Sequence, residues 1–321
     1  MVRLAPVIII GLLLTALPTF TDLAIIGLFT KILIFSLLVM SLDLLVGYTG
    51  LMAFGHAAFF GIGAYTTGIL IIHYGISSFW LSAPAGVLMA VLAACIFGVI
   101  ALRASAIYFL LITLALGQLV FELANTSLGK LGALTGGSDG LGGIPYPEIG
   151  FSFSFSPISF YYFTWGTFII CALLLYWITK SPFGLGLQGI RESEIRARAL
   201  GYNTWVYRYF VFIMGGFFAG IAGVLYVHYN GFISPEGVGM EASGLLWLML
   251  IIGGSGTLWG GFIGSGIILC LQYFISGLTP QRWPLILGVC FVGVIMFYRG
   301  GIMPQLTFLW RRISDEGSPK S

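Results

Sequence analysis

A serine between glycines is the first residue of the chain that could act as a nucleophile. The stretch Gly253-Gly254-Ser255-Gly256 matches the GxSG pattern of intramembrane serine proteases, which also need a histidine base within hydrogen-bond reach. In that pattern the base lies on a later helix, but all three histidines of this chain precede Ser255: His56, His73 and His228. Gly-Gly-Ser-Gly is also an ordinary turn sequence. We therefore expect a turn here and no enzyme.

Four ionisable side chains lie inside apolar stretches, where charge is costly and is usually kept for function. They are Lys31, Asp43, Glu122 and His56. A stand-alone, ion-coupled secondary carrier would use such groups to bind its coupling ion, and this alternative stays open. The other interpretation places them at helix ends, where long side chains reach the membrane surface, or in structural pairs. We favour the second interpretation, since ion-coupled carriers normally have several ionisable groups in their spans.

The densest group of charges lies in the segment Lys180–Arg208, between two apolar stretches. Arginines and glutamates alternate there: Arg191, Glu192, Glu194, Arg196, Arg198 and Arg208. Leu187–Leu200 has the pattern of a short helix, and Gly201 after it is a typical helix stop. In that helix three residues share a face at spacings i, i+4 and i+7: Ile190, Glu194 and Ala197. The pattern predicts a folded surface that docks to a partner, rather than a solvated basic loop.

Several kinds of chemistry have no motif in this chain. A protein that hydrolyses ATP itself would carry the phosphate-binding loop G-x-x-x-x-G-K-[ST], and none of the four lysines stands in that context. The four cysteines lie in apolar runs without C-x-x-C spacing, which is typical of buried thiols: Cys95, Cys171, Cys270 and Cys290. We therefore expect no cofactor, no metal and no ATP hydrolysis by this chain.

The composition indicates the environment in which these residues lie. Of the 321 residues, 59% are hydrophobic and 8% are charged, whereas a soluble domain is about half apolar and about a quarter charged. Glycine accounts for 46 residues, about twice its usual ~7% share, which suits closely packed or interrupted transmembrane helices. The composition predicts a polytopic membrane protein in contact with lipid, and it gives no sign of a nucleic-acid partner.

Apolar stretches of ~20 residues are long enough to cross the hydrocarbon core. The candidates are Leu4–Phe20, Leu23–Val46, Leu51–Ile72, Phe79–Leu102, Ala104–Ala124, Phe160–Thr179, Tyr209–Tyr229, the Gly-broken tract Gly244–Ile275, and Leu285–Tyr298. We take the first as a retained helix rather than a signal peptide, because a second span follows at once. The predicted fold class is an all-α polytopic membrane protein with about 8–10 transmembrane helices, including a broken or re-entrant segment.

The distribution of Lys and Arg gives an orientation, because these residues concentrate in cytoplasmic loops. Placing Arg3 inside and alternating the spans puts Arg103 and the segment Lys180–Arg208 in the cytoplasm. The loop 125–159, in which Lys130 is the one basic residue, then lies outside. We expect both termini to be cytoplasmic.

Glycines interrupt the apolar pattern at two places. The first place is Gly253–Gly256. The stretch before it, Gly244–Ile252, is too short to cross the membrane, so we predict a half-helix or re-entrant segment there. Gly47-Tyr48-Thr49-Gly50, followed by Gly55-His56, makes a second break nearer the start. Such breaks are tolerated only where they are buried in protein or line a water-filled cavity. In corresponding places of two halves they point to a transport path built from repeats.

Six stretches, in order along the chain, resemble the LivM-type permease subunits of ABC importers for branched-chain amino acids. They are GYTGLMAFGHAAFFGIGAY (Gly47–Tyr65), AIYFLLITLALGQLV (Ala106–Val120), TGGSDGLGGIP (Thr135–Pro145), SPFGLGLQGIRESEIRARALGYN (Ser181–Asn203), GGFFAGIAGVLY (Gly215–Tyr226) and GGSGTLWGGFIGSGI (Gly253–Ile267). The resemblance implies a type II-like importer architecture in a bacterial inner membrane. It also implies alternating access driven by ATP, a second homologous permease as heterodimer partner, two cytoplasmic ATP-binding subunits and an extracytoplasmic solute-binding protein.

The resemblance also implies roles for particular residues. The loop 180–208 would couple the permease to the ATPases, through Ile190, Arg191, Glu192, Glu194, Arg196, Ala197, Arg198, Leu200 and Gly201. Ile190 and Leu200 would seat its helix in an apolar groove of the partner, and the charged residues would form a polar rim. The expected path residues are Tyr48, His56, Glu122 and Ser255. The expected contacts to the binding protein, in an outer loop too rich in glycine for regular helix, are Asp139 and Glu148.

The resemblance favours leucine, isoleucine and valine as substrates. Urea, short amides or another small neutral solute remain open, because selectivity in this class of transporter lies mainly in the binding protein. The expected organisation is one permease domain, 1–310, with the coupling loop 180–208 and the external loop 125–159, followed by a flexible cytoplasmic tail, 311–321.

Overall fold

The computed structural model describes residues 14–15, 17–19, 21–147, 155–278, 285, 288–289, 292–293, 296 and 301–303. The first and last predicted spans, Leu4–Phe20 and Leu285–Tyr298, therefore lie largely outside the described residues. Glu148 and the predicted tail 311–321 lie wholly outside them.

The described residues form eleven α-helices and two short strands. In chain order these are α1 Leu23–Thr49, α2 His56–Ile72, α3 Phe79–Ala101, α4 Ala106–Asn125, α5 Gly129–Thr135, β1 Leu141–Gly142, α6 Pro157–Lys180, α7 Pro182–Glu192, α8 Glu194–Ala199, α9 Thr204–Asn230, β2 Phe232–Ile233, α10 Met240–Gly253 and α11 Leu258–Leu278. Short 3-10 turns cover Leu17–Thr19, Gly137–Asp139 and Pro235–Gly237.

Seven helices in the described ranges are long and apolar enough to cross a membrane. They are α1, α3, α4, α6, α9, α11, and α10 counted together with the 3-10 turn before it. The predicted class, an all-α polytopic membrane protein, is confirmed. α2 is apolar but has only 17 residues.

α1 runs through the middle of the helix bundle. Its side chains from Ile32 to Leu45 are almost all buried, and it packs against α6, α9 and α11. Two polar contacts tie it to neighbouring helices: Ser36 lies 2.6 Å from Ser265 of α11, and Ser41 lies 2.7 Å from His56 Nε2 of α2. Hydrogen bonds between helices are the usual means of satisfying polar side chains in such a core.

Glycines bring the helix backbones together. Lipid is as apolar as leucine, so helices in a membrane associate largely through the close packing that small residues allow. A Cβ on Gly223 of α9 would collide with the Phe60 carbonyl of α2, and one on Gly220 would lie 2.7 Å from the Ala90 Cβ of α3. Glycine is therefore required at these crossings. This accounts for much of the glycine excess in the sequence.

The breaks predicted from glycine are present, with one correction. α10 ends at Gly253, and Gly254 and Gly256 adopt φ of +102° and +81° before α11 begins at Leu258. The broken segment is present, but its bounds need correction, because α10 begins at Met240 rather than Gly244 and the run with the preceding 3-10 turn, Pro235–Gly253, spans 19 residues. The sequence interpretation missed its first residues, which include a proline and a glutamate that dilute the apolar pattern.

The bundle has two chemically different ends. At one end lies the connection between α6 and α9, residues 181–203, which we call the charged end. At the opposite end β1 pairs antiparallel with β2, Leu141 facing Ile233. His73 and His228 lie within 3.1 Å of the Leu134 and Pro145 carbonyl oxygens there. The prediction that Thr135–Pro145 cannot be regular helix is confirmed, since it holds a 3-10 turn, a strand and four glycines at positive φ: Gly136, Gly137, Gly140 and Gly143.

Candidate functional site

The segment between α6 and α9 folds as two short helices rather than one. Ser181 caps α7 by accepting a hydrogen bond from the Gly184 N–H, and a proline follows at the first helical position. Ser193 then adopts an extended conformation, with φ −162° and ψ 107°, and caps α8 by accepting from the Arg196 N–H. The prediction of one continuous helix over Leu187–Leu200 was therefore wrong at Ser193.

Gly201 ends α8 as its position predicts. Its φ is +87°, a conformation that only glycine adopts without strain. The Gly201 N–H bonds the Arg198 carbonyl, and the Tyr202 N–H bonds the Ala197 carbonyl. These two bonds are the Schellman motif, which satisfies the last carbonyl groups of a helix. The chain then reverses, and Asn203 caps α9.

A polar network fastens α8 to the start of α9. Glu194 pairs with Arg198 at 2.5 Å on its own helix and with Arg208 at 2.8 Å on α9. Thr204 donates to the same carboxylate at 3.2 Å and accepts from Arg198 Nε at 3.1 Å. Burial acts to raise the pKa of Glu194, but the charges of Arg208 and Arg198 and the bonds from Thr204 and Arg208 outweigh it, so that the pKa lies below its ordinary value. Glu194 therefore stays ionised and fixes the position of α8.

The apolar residues of the segment divide into buried and exposed ones. Ile190 and Ala197 are 2% and 5% exposed, so they pack inside this chain. Ile195 and Leu200, on α8 and just after it, are 83% and 77% exposed. The expectation that Ile190 seats the helix in a partner's groove therefore needs correction, because Ile190 is not accessible. The sequence interpretation missed Ile195, which lies among arginines and on the opposite side of the helix from Ala197.

Arg191 is exposed at the charged end, as expected of the polar rim, but its guanidinium also makes a contact inside this chain. Its guanidinium points toward the transmembrane helices and donates to the Gly47 carbonyl near the end of α1. Gly50 and Gly256 leave it room, since a Cβ on either would come within 3.3 Å of the Arg191 side chain. Among the other predicted coupling residues, Glu192, Arg196 and Arg198 are exposed at the charged end.

A second feature lies deeper in the bundle, where residues 50–55 join α1 to α2 without helical structure. The Phe54 N–H bonds Thr113 Oγ1 in α4, and the Trp247 indole of α10 donates to the Ala53 carbonyl at 2.9 Å. The Phe54 and Trp247 rings also stack, with centroids 6.0 Å apart. Because Thr113 and Trp247 lie in the middle of their helices, this irregular segment runs alongside the apolar core of two spans.

Two polar side chains are exposed on α4. Gln118 donates to Glu122 at 3.3 Å, and both are accessible on the helix surface. An amide and a carboxyl on a spanning helix are costly against lipid, so such residues usually face the bundle interior or a water-filled cavity. Met52, in the irregular segment, is 55% exposed. Residues 50–55 contact Thr113 and Gly117 of α4, and Gln118 and Glu122 are exposed on another side of that helix; we call these two groups together the polar face.

Comparison with known proteins gives these features a context. The family model described as "Branched-chain amino acid transport system / permease component" matches residues 24–298. The chain belongs to this family. The high-affinity branched-chain amino acid transport system permease protein LivM of Escherichia coli (strain K12) is 28% identical over 301 residues, covering 86% of this chain and 69% of LivM. LivM of Salmonella typhimurium (strain LT2) is 27% identical over the same length.

A more distant relative is named for a different substrate. The autoinducer 2 import system permease protein LsrC of Yersinia pestis (strain Pestoides F) is 28% identical over 152 residues, covering 45% of this chain and 42% of LsrC. No solved structure matches the chain. The protein is thus a LivM-type permease, a multi-pass inner-membrane component of a transport system.

The permease does not bring the four predicted path residues together. Tyr48 is half-buried near Thr179 of α6 and the backbone of Leu258, at the charged end. Ser255 is exposed in the turn between α10 and α11, at the same end, and Glu122 lies near the other end of α4. His56 is buried, with Nε2 bonded to Ser41. It lines a small cavity of about 10 Å³, which is otherwise bordered by Ala53, Gly55, Phe59, Phe97, Thr113, Leu116 and Phe212.

The geometry also bears on the protease alternative. The ring nitrogens of His56, His73 and His228 bond Ser41, Leu134 and Pro145 respectively. His73 and His228 lie at the opposite end of the bundle from Ser255. The serine motif is the turn between two packed helices, which agrees with membership of a transport permease family.

Proposed function

We propose that this permease is the transmembrane subunit of an ATP-driven importer for branched-chain amino acids. It would pair with a second, homologous permease, bind two cytoplasmic ATP-binding subunits and receive substrate from an extracytoplasmic binding protein. The observation that carries the proposal is the fixed position of α8, which holds Ile195 and Leu200 exposed at the charged end. The two termini and the charged end would be cytoplasmic, as the positive charge of Lys180–Arg208 indicates.

The charged end has the features of a docking surface. Two large apolar side chains project from a short helix, and Glu192, Arg196 and Arg198 surround them. An apolar contact bordered by polar groups is the usual anatomy of a protein interface, and a short helix laid into a groove is a common mode of recognition. Ile195 replaces Ile190, beside the already predicted Leu200, among the residues that would enter the groove of the ATPase subunit. Ala197 and Gly201 support α8 from within.

The polar face is the proposed lining of the translocation path. Irregular backbone at membrane depth is tolerated where it is buried in protein or lines a water-filled cavity, and residues 50–55 leave Met52 exposed. Gln118 and Glu122 lie on the helix beside that segment. A second permease placed against this face would enclose the path between the two subunits. Of the four residues predicted from sequence, only Glu122 belongs to this face, while Tyr48, His56 and Ser255 would support helix packing and turns.

The substrate assignment rests on likeness to LivM. In the described residues the polar face carries an amide and one carboxyl group, which suits a zwitterion or a neutral solute. Selectivity would lie mainly in the binding protein, which Asp139, in an exposed 3-10 turn at the opposite end, and Glu148 would contact. Urea and short amides are the alternative substrates for the same machinery.

The test is ATP hydrolysis by the purified assembly in lipid, with its binding protein, in the presence of leucine, isoleucine, valine or urea. Stimulation by a branched-chain amino acid is the expected result. Stimulation by urea alone would keep the mechanism and overturn the substrate. An assembly that contains no ATPase subunit and accumulates solute without ATP would overturn the proposal in favour of a secondary carrier.

The carrier alternative has limited support in the structure. Lys31 is half-buried on α1, and its Nζ lies 5.9 Å from the centre of the Phe35 ring on the next turn. A cation over an aromatic face is a stable structural arrangement. Asp43 and Glu122 lie on different helices near opposite ends of the bundle. A shared ion site built from these three groups is therefore not formed.

A further inference from the structure

The buried carboxylate of Asp43 is the most unusual polar group in the described part of the chain. Asp43 lies on α1 and is 0% exposed. Its Oδ1 accepts a hydrogen bond of 2.7 Å from the Gly256 N–H, in the turn between α10 and α11. Its Oδ2 has no hydrogen-bond partner among the described residues. A carboxylate in this position is expensive, and neither the docking surface nor the polar face uses it.

The charge nearest to Asp43 comes from the segment between α6 and α9. The Arg191 guanidinium donates to the Gly47 carbonyl, one turn along α1 from Asp43, and its charge acts directly on the Asp43 carboxylate. Arg191 is the next residue after Ile190, which anchors α7 in the core. α7 thus places a cation near a buried carboxyl group that already accepts a hydrogen bond from the α10–α11 turn.

Three glycines make space for this arrangement. A Cβ on Gly47 would collide with both the Asp43 carboxylate and the Gly256 nitrogen. A Cβ on Gly256, whose φ is +81°, would lie 2.9 Å from Arg191 Nη1, and one on Gly50 would lie 3.3 Å from Arg191 Cγ. The end of α1, the turn 254–257 and the end of α7 therefore approach one another closely around Asp43 and Arg191. We call this arrangement the Asp43–Arg191 junction.

We infer that Asp43 and Arg191 are a positioning pair that transmits movement of the docking segment to the α10–α11 hairpin. The inference rests on the proposed function, because it takes α8 as the surface that the ATPase moves. α8 and α7 are consecutive, so displacement of α8 shifts Arg191. Arg191 is bound to α1 and faces a carboxylate that holds the Gly256 N–H, so the turn 254–257 follows.

The path from the docking segment continues to the polar face through one connection, the one that Trp247 of α10 makes. α11 packs against α1 and α10, and α10 carries Trp247, which holds the irregular segment of the polar face. A shift of the α10–α11 turn therefore reaches residues 50–55 through Trp247. The docking surface and the polar face are joined by way of Arg191, Asp43, Gly256 and Trp247. Two hydrogen bonds hold this junction, from Arg191 to the Gly47 carbonyl and from the Gly256 N–H to Asp43, and they favour its movement as a unit.

The test compares Arg191→Gln and Asp43→Asn with Arg103→Gln in the full assembly reconstituted in lipid. Arg103 is an exposed arginine in the α3–α4 connection, at the same end of the bundle, where Gly98 packs against Tyr209. Three quantities are measured for each: retention of the ATPase subunits on purification, the rate of ATP hydrolysis, and leucine uptake per ATP hydrolysed. Asn at position 43 keeps an oxygen for the Gly256 N–H and removes the charge.

Both variants are expected to retain the ATPase subunits and to hydrolyse ATP. Leucine uptake per ATP should fall about tenfold or more, because this factor corresponds to the loss of a charged hydrogen bond. The double variant should be no worse than the worse single one, because the two residues act on the same junction of α1, α7 and the turn 254–257. Arg103→Gln should match the wild type in all three quantities.

Unchanged uptake per ATP in both single variants would overturn the inference, as would additive losses in the double variant. Loss of the ATPase subunits from Arg191→Gln would also overturn it, since Arg191 would then contact the partner directly. Absence of ATPase subunits from the wild-type assembly would instead refute the proposed function. Should Asp43→Asn fail to fold, Arg191→Gln at the end of α7 decides the question alone.

Discussion

The Trp247 indole donates a hydrogen bond to the Ala53 carbonyl, and so joins the middle of α10 to the irregular segment that separates α1 from α2. Phe54 stacks on the same indole. The contact explains how non-helical backbone is held at the depth of the apolar core. A carbonyl there must have a donor, because lipid offers none.

Replacing Trp247 by Phe should keep the stacking on Phe54 but remove the donor to Ala53. We expect a loss of unfolding free energy of about 1–3 kcal/mol, the usual cost of a buried polar group left without a partner, together with reduced uptake. Thermal unfolding in lipid and uptake by the reconstituted assembly measure the two effects. Trp177→Phe is the control, because Trp177 is 71% exposed on α6. Equal behaviour of both variants would show that the Ala53 bond does not hold the segment.

Ile195→Asp should weaken binding of the ATPase subunit. Burying an isoleucine side chain contributes about 1.5–3 kcal/mol, and each 1.4 kcal/mol is about tenfold in affinity, so a loss of about tenfold to a hundredfold is expected. Co-purification and titration with the ATPase measure it.

Leu128→Asp is the matched control for Ile195→Asp. Leu128 has the same 83% exposure but lies between α4 and α5, at the opposite end of the bundle. Equal loss of ATPase binding in the two variants would contradict the assignment of the charged end as the docking surface.

The features that could be predicted from sequence are those with local signals. Gly201 and the glycines of 253–256 mark positions where the backbone must adopt positive φ, and the structure has a helix stop and a turn there. The apolar spans likewise show in composition alone. Ser193 was missed because a serine is compatible with a short helix, and only its extended backbone shows that it caps the next one.

The contacts that could not be predicted join residues far apart in the chain. Asp43 and Gly256 are 213 positions apart, and Arg191 and Gly47 are 144 apart. Which face of α7 and α8 is buried depends on how these helices lie against α1, α6 and α9. Helical spacing placed Ile190 and Glu194 on one face, but the turn at Ser193 changes the direction of the chain between them.

The Glu194 network makes the stability of α8 depend on pH. The pKa of Glu194 is lowered in the folded chain, so its contribution is fully present above the ordinary carboxyl pKa of about 4.3 and is lost as the pH falls through the lower, folded value. Hydrogen exchange of the α8 amides between neutral and acid pH measures this loss. The measured rates are corrected for the intrinsic exchange rate at each pH.

Glu194→Gln should remove that pH dependence and leave α8 exchanging faster already at neutral pH. The effect is modest, about 0.2–1 kcal/mol, because Arg198 and Glu194 are partly exposed to solvent. Glu192→Gln, one residue before the turn and exposed, should keep the wild-type profile. An unchanged profile in Glu194→Gln would show that another group holds α8.

Two glycines on α11 should respond to alanine in opposite directions. A Cβ on Gly264 would collide with the Met249 carbonyl and lie 2.9 Å from the Gly253 nitrogen, so α10 and α11 would have to separate. We expect a destabilisation of about 1–3 kcal/mol, as for other overpacked sites. Within the described residues, a Cβ on Gly266 would meet only Ile32 Cγ2, at 3.9 Å. Alanine there should be neutral or stabilise by about 0.5–1 kcal/mol, since glycine inside a helix is costly.

Thermal unfolding of Gly264→Ala and Gly266→Ala in the same lipid tests both expectations. Because both changes add one methyl group to the same helix, a shift of the same sign and size in both would show that the α10–α11 contact is not as close as the structure places it.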